Sequence, residues 1–371
     1  MGSVVDKLQE ALASNPGLTP AELARIARGE VGIVSDQQML TLLQKVNNRV
    51  HGIGVLEGLI APGVTDIVVN GPESIWVDRG NGMEKVDSVR FESDAEVRQL
   101  ATRLMHAAGQ RLDDAVPFAG GHIQRPDGQT IRLHAVLSPP AAPGTLLSLR
   151  MLRGATATLD RLGIPPGLVR VLRGLVRARR SILVVGGTGT GKTTMLSALL
   201  AEVPAHERII CIEDTAELHP PHPHVVSLTT RGANAEGRGA ITMSDLLTQA
   251  LRMRPDRIVV GEIRGKEVVD LLAALNTGHD GGAGTVHANS LDEVPARMEA
   301  LAALGGLGRE ALHAQLAAAI DVIIHMVRTP GGRVIHQIGV LIARRGQPVR
   351  TRVLWENGTP QPGWEELVCS L

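Results

Sequence analysis

Apolar residues recur at every third or fourth position over residues 4–60, with breaks at Asn15-Pro16-Gly17 and Gly29 and a fresh start near Ser35-Asp36. That is the spacing of short amphipathic helices, so a helical N-terminal extension is expected over residues 1–60. The rhythm then shortens. Runs at 66–69, 74–77 and 85–89 read as strands, separated by Asn70-Gly71-Pro72 and by turn residues at 80–82. A helical pattern over about 95–108 and strands around 129–136 and 146–151 complete a predicted α+β domain over 61–155.

A proline-rich loop at 138–144 and the segment Gly163-Ile164-Pro165-Pro166-Gly167 mark the passage into a different pattern. Apolar runs at 182–185, 209–212, 258–260 and 284–286 alternate with helical stretches at 193–202, 243–253 and 266–276. Strand and helix in strict alternation predict a mostly parallel sheet flanked by helices, an α/β domain over 156–330. Strand-like runs at 322–327 and 334–342 lead into a strand-rich C-terminal tail over 331–371.

The chemistry enters at the first strand of that alternation. Gly186-Gly187-Thr188-Gly189-Thr190-Gly191-Lys192-Thr193, followed by Thr194, matches GxxxxGK[ST] between an apolar strand and a helical run. This is the context a phosphate-binding loop requires. Glycines let backbone N–H groups curl around phosphates and the helix N-terminus adds a favourable dipole. Lys192 reaches the β and γ oxygens and the Thr193 hydroxyl ligates Mg2+, so ATP and Mg2+ are the expected cofactors.

Hydrolysis also needs a carboxylate at the end of a neighbouring strand. The strand at 258–260 leads into Gly261-Glu262-Ile263-Arg264, and the strand at 209–212 ends in Glu213-Asp214-Thr215-Ala216-Glu217. Glu262, Glu213 and Glu217 are the candidates. A plain ion pair with Arg264 is the alternative for Glu262, and capping of the next turn that for Asp214. His279 and His287 follow the third helix and the last strand, and an imidazole there donates to a γ-phosphate or to backbone. Arg132, Arg150 and Arg231 are either phosphate contacts or surface ion pairs. Arg170, Arg173, Arg177, Arg179 and Arg180 lie mostly opposite an apolar helix stripe and read as a solvated face.

Composition narrows the choice of partners. Over 371 residues the formal charge is zero, and the aromatic residues are two Phe and three Trp with no Tyr. There is no global basic field, and a stacking platform for single-stranded nucleic acid has few candidates. Cys211 and Cys369 make no metal or disulfide pattern, and no apolar run approaches the ~18 residues that span a bilayer. A cytoplasmic protein, peripheral to the membrane at most, is expected.

Several motifs in order carry a more specific resemblance. Val69-Asn70-Gly71-Pro72, the phosphate loop, the aspartate-box-like Ile212-Glu213-Asp214-Thr215-Ala216-Glu217-Leu218 and Leu251-Arg252-Met253-Arg254-Pro255-Asp256-Arg257 before Glu262 come first. The stretch from Asn276-Thr277-Gly278-His279 to His287-Ala288-Asn289-Ser290 resembles a histidine box. Together they resemble the secretion ATPases of type II and type IV secretion, pilus assembly and conjugal transfer, within these the CpaF-like branch of Flp/Tad pili. The resemblance implies a homo-hexamer of RecA-like ATPase domains, each preceded by a smaller domain, driving an inner-membrane platform protein. It also implies that Arg132, Arg150 and Arg231 contact the nucleotide, Glu217 and Glu262 handle water and metal, and His287 senses the γ-phosphate. The acidic residue expected ahead of Pro126-Asp127-Gly128 is lacking, as is the four-cysteine metal module of the type II branch, so zinc is not expected. Two other readings stay open: a RecA-like motor acting directly on DNA, and a nucleotide switch that does not hydrolyse.

Overall fold

The computed structural model describes Glu22, Arg25, Ile26, Gly29 and residues 52–371 except 81, 126, 153, 234–236, 345 and 346. The helical extension expected over 1–60 therefore lies, up to residue 51, almost wholly outside the described residues. The chain divides into two compact units, Met1–Arg153 and Gly154–Leu371.

Over its described residues from 52 on, the first unit is an antiparallel sheet with an α-helix packed on one face. Its strands are β1 (Asp66–Asn70), β2 (Ile75–Asp78), β3 (Met83–Val86), β4 (Phe118–Gln124), β5 (Thr130–Val136) and β6 (Leu146–Leu152), in the order β3-β2-β1-β6-β5-β4. Alternation decides the faces: on β5, Ile131, Leu133 and Ala135 are buried while Arg132 and His134 are exposed. Helix α1 (Asp94–Ala107) adds Val97, Leu100, Leu104 and Met105 to that buried face. On the other face the register sets His122, Arg132, Arg150 and Asp66 side by side across four strands. Strand β4 has no counterpart in the sequence reading, because Gly120-Gly121 and its lack of fully buried positions leave no apolar alternation.

The second unit is a nine-stranded sheet ordered β15-β14-β13-β12-β7-β11-β10-β8-β9. Its parallel part comprises β7 (Ile182–Val185), β8 (Ile209–Glu213), β9 (Val225–Thr229), β10 (Arg257–Ile263), β11 (Ala283–Val286) and β12 (Val322–Thr329). The strands β13 (Gly332–Ile342), β14 (Arg350–Glu356) and β15 (Thr359–Pro360) extend it antiparallel. Helices α4 (Met243–Ala250), α5 (Glu267–Leu275), α6 (Val294–Leu304) and α7 (Arg309–Ala319) pack on one face through a core that includes Leu183, Ile210 and Val260. The opposite face meets α2 (Pro166–Arg177), α3 (Lys192–Leu200) and α8 (Trp364–Cys369) through Ile182, Val184 and Cys211. Covered on both sides, β7 is buried at all four positions, which is why it reads as an unbroken apolar run.

Parallel strands bring their C-terminal ends to one edge, and that edge carries the chemistry. The other end is pinned by Arg257, 1% exposed, whose guanidinium donates to Glu207 Oε2 (2.6 Å), Val176 O (2.9 Å) and Gly281 O (3.2 Å). These bonds offset the desolvation of a buried charge, and the packing is tight: a Cβ at Gly281 would run into that guanidinium.

Candidate nucleotide site

Strand β7 turns at Gly186 into the loop that ends at α3. Gly186, Gly189 and Gly191 hold φ of 152°, 73° and 92°. A Cβ at Gly186 would meet Met326 O at 2.4 Å and Thr190 Oγ1 at 2.6 Å, so the loop's sharp entry admits glycine alone. Gly191 is the N-cap of α3 and offers no side chain, leaving the first N–H groups of the helix to another acceptor. Lys192 is buried and folds back, its Nζ donating to Gly186 O (3.0 Å) and Gly187 O (2.9 Å).

The ends of β10 and β11 meet this lysine. His287 Nδ1 lies 3.5 Å from Lys192 Nζ, and His287 Nε2 lies 2.8 Å from Glu262 Oε1. The latter contact is off the line of a hydrogen bond, so Oε1 is buried without a hydrogen-bond partner. Glu262 Oε2 accepts from Arg264 (2.5 Å), which also faces Asp214 Oδ2 at 3.6 Å. Lys192, His287, Glu262, Arg264 and Asp214 thus form one continuous polar cluster beside the phosphate loop.

A match to the family model described as "Type II/IV secretion system protein" extends over residues 50–353. The chain belongs to that family. A Mycobacterium tuberculosis protein named for conjugal transfer is 53% identical over 87% of this chain and 94% of its own length. The type IV secretion system protein PtlH of Bordetella pertussis is 32% identical over 81% of this chain and 92% of its own. The X-ray structure of the Legionella pneumophila ATPase DotB covers 83% of this chain and 82% of that one, with a TM-score of 0.52 and 18% identity, a likeness of fold. The fold is accordingly that of a RecA-like P-loop α/β unit preceded by a smaller α+β unit.

The cluster of this secretion-family protein is electrostatically ordered. Burial lowers the pKa of Lys192, against the opposing pull of Glu262. Burial likewise lowers His287, helped by the Lys192 charge, so its ring is neutral near pH 7. A neutral ring accepting at Nδ1 from Lys192 carries its proton on Nε2, toward Glu262. Burial alone would raise Glu262, but the Arg264 hydrogen bond and the Arg264, His287 and Lys192 charges outweigh it and hold the carboxyl below its usual range.

Glu213 behaves oppositely. It is buried at the end of β8, and its Oε1 accepts from the backbone N–H of Glu217 and Leu218 at 3.1 Å each. Gly261 leaves room for it, since a Cβ there would lie 2.6 Å from Glu213 Cγ. Burial outweighs those two donors and raises its pKa from 4.5 to about 7. The folded state therefore binds this proton more tightly than the unfolded chain, and stability falls as pH rises from about 4.5 through 7. At ~1.4 kcal/mol per pKa unit the whole step is worth about 3 kcal/mol. In Glu213→Gln, which cannot ionise, urea unfolding at pH 5 and pH 8 should lack this decline; an identical decline would show that Glu213 is not its source.

The other candidates fall in separate places. Asp214 Oδ1 accepts from the Thr230 hydroxyl (3.0 Å) and caps no helix. Glu217 follows in the same turn, where its N–H is held by Glu213. Arg231 makes its contacts locally, pairing with Ile241 across an isolated bridge and donating from Nε to Gly239 O (2.9 Å). Arg132 and Arg150 face each other on β5 and β6 of the first unit, with Arg150 Nε donating to Asp66 Oδ1 (2.9 Å). His279 lies in the loop beyond α5, its Nδ1 buried and unpartnered. Two residues join the site without having been singled out for it: Thr285, whose hydroxyl donates to Gly261 O (2.7 Å), and Glu267, which accepts from the backbone N–H of Arg264 and Gly265. Both fix the turn that carries Glu262 and Arg264.

The donors present suit Mg2+ bound together with a nucleotide. The hydroxyl and carboxylate oxygens of Thr193 and Asp214 are hard ligands, and the charged Glu262, 2.8 Å from His287 Nε2, can order a water beside them. Among the described residues no cluster of three or more His, Cys, Asp or Glu could cage a metal by itself.

Proposed function

We propose that this protein hydrolyses ATP with Mg2+ and is an oligomeric motor of a secretion, pilus-assembly or conjugal-transfer system. The observation that carries this reading is the contact of Lys192, in the phosphate loop, with His287 and through it with Glu262. A loop alone binds phosphate; a charged carboxylate and a neutral imidazole beside it can act on the terminal phosphoryl group.

In this reading Lys192 exchanges the Gly186 and Gly187 carbonyls for phosphate oxygens, and the loop's N–H groups, through Thr194, complete the cradle. Thr193 holds Mg2+, which neutralises charge on the phosphates. Glu262, kept anionic, orients the attacking water, and Glu217 and Glu213 order the acidic turn beside it. His287, beside Lys192, senses the γ-phosphate and relays its presence to Glu262. Arg132, Arg150 and Arg231 are further phosphate contacts on the strength of the family resemblance alone.

The names of the relatives, conjugal transfer and type IV secretion, support transport across a membrane as the process served. Among the described residues no helix is long and apolar enough to cross a membrane. A homo-hexamer in the cytoplasm, bound peripherally to an inner-membrane platform protein, is the arrangement proposed. Phosphate release per protomer, followed against protein concentration alongside sedimentation, is expected to rise with the population of the assembled ring. Turnover stimulated by DNA and suppressed by salt would favour direct action on nucleic acid instead, and no release in any assembly state would leave a nucleotide switch.

A further inference from the structure

The hairpin of β12 and β13 overreaches the sheet. Strand β12 pairs with β7 up to His325 opposite Val185, and then continues to Thr329 while β7 turns into the phosphate loop. The returning strand places Arg333 opposite Arg328, one residue from the hairpin's turn. Two contacts tie this tip to the loop. Met326 O lies against Gly186, as described above. Arg333 Nε donates to Gly189 O at 2.9 Å, and the Arg333 stem lies against Gly191, where a Cβ would meet its Cδ at 2.9 Å.

The first carbonyls of the loop are taken by Lys192; the carbonyl of Gly189, at the crest, is taken by Arg333. A trans peptide directs its C=O and N–H to opposite sides. The peptide whose carbonyl belongs to Gly189 carries the N–H of Thr190, so holding that carbonyl toward Arg333 turns the Thr190 N–H to the other side, into the loop. The terminal guanidinium nitrogens of Arg333 make no hydrogen bond among the described residues, and the full positive charge stays at the loop's rim.

We propose that Arg333 is a positioning residue of the phosphate loop, fixing the Gly189 carbonyl outward so that the loop binds nucleoside di- and triphosphates preformed. This rests on the nucleotide-site reading above. The β12–β13 hairpin thereby becomes part of the nucleotide site, although it carries none of the loop's motif.

The test compares Arg333→Met, which keeps the stem but loses donor and charge, with Arg333→Lys, which keeps stem and charge, by titrating the full chain with ADP. Arg333→Met is expected to weaken ADP binding about tenfold, the size of one lost hydrogen bond to a charged group, and Arg333→Lys less. The thermal midpoint without nucleotide should fall by no more than about 4 °C, the loss of one exposed hydrogen bond, and KM for ATP should rise with kcat unchanged. Lys192→Ala, titrated in parallel, reports on the site itself. If Lys192→Ala loses ADP while Arg333→Met binds within twofold of wild type, the positioning role is wrong and the site stands. If Lys192→Ala keeps its affinity, the site reading fails first. A loss of affinity in Arg333→Met with a fall in the nucleotide-free midpoint of about 10 °C or more, shared by Arg333→Lys, would also overturn the proposal, reducing Arg333 to a packing residue.

Discussion

Lys192→Ala is expected to weaken ATP and ADP binding at least about a hundredfold and to abolish measurable phosphate release. Two charge-assisted hydrogen bonds to phosphate, at ~1.5–3 kcal/mol each, account for that loss. The substitution also removes the donor that holds the Gly186 and Gly187 carbonyls, so the loop loses its internal tie as well as its charge. The fold should survive, because Lys192 makes no ion pair in the core and its neighbours Met195 and Leu196 remain packed. Nucleotide titration followed by a phosphate-release assay on the same folded sample checks both parts. Retained binding with retained turnover would place the nucleotide elsewhere.

Much of this site is legible in the sequence, for a physical reason. The phosphate loop is a local device: its strand, its glycines and the following helix are contiguous, so spacing alone exposes it. Glu262 and His287 were also legible, because residues just past the ends of parallel strands share one sheet edge once the βα alternation is recognised. The ion pair with Arg264, the alternative read for Glu262 in sequence, does form, beside the contact with His287. What spacing could not show was the turn that sets it, fixed by Glu267 and Thr285, which only the folded backbone reveals.

The acidic turn shows the same limit from the other side. Glu213, Asp214 and Glu217 look equivalent in sequence, yet Glu213 is buried and bound to backbone N–H groups, while Asp214 turns outward to Thr230 and Arg264. Burial thereby moves one carboxyl toward neutrality, while its neighbour is held by a hydroxyl and a guanidinium. Strands β4 and β9 escaped the sequence reading because neither has the run of buried apolar positions that marks β7 or β8. Arg333 was invisible for a different reason. It reaches the loop from a hairpin far along the chain, and no local motif announces such a contact.

The central claim is that the chain hydrolyses ATP at the Lys192, His287 and Glu262 cluster, and Glu262→Gln addresses it most directly. Glutamine keeps the shape and leaves His287 and Arg264 a neutral oxygen, but it cannot act as a base or hold water through a full negative charge. Losing a positioned general base costs about 10²–10⁴ in rate. Because the phosphate loop is untouched, nucleotide affinity should change little. The deciding measurement is single-turnover phosphate release from preassembled protein loaded with Mg-ATP. The expected result is at least about a hundredfold slower release in Glu262→Gln, with ATP bound as tightly as in the wild type. Release at the wild-type rate would contradict the assignment and move the hydrolytic carboxylate away from the end of β10.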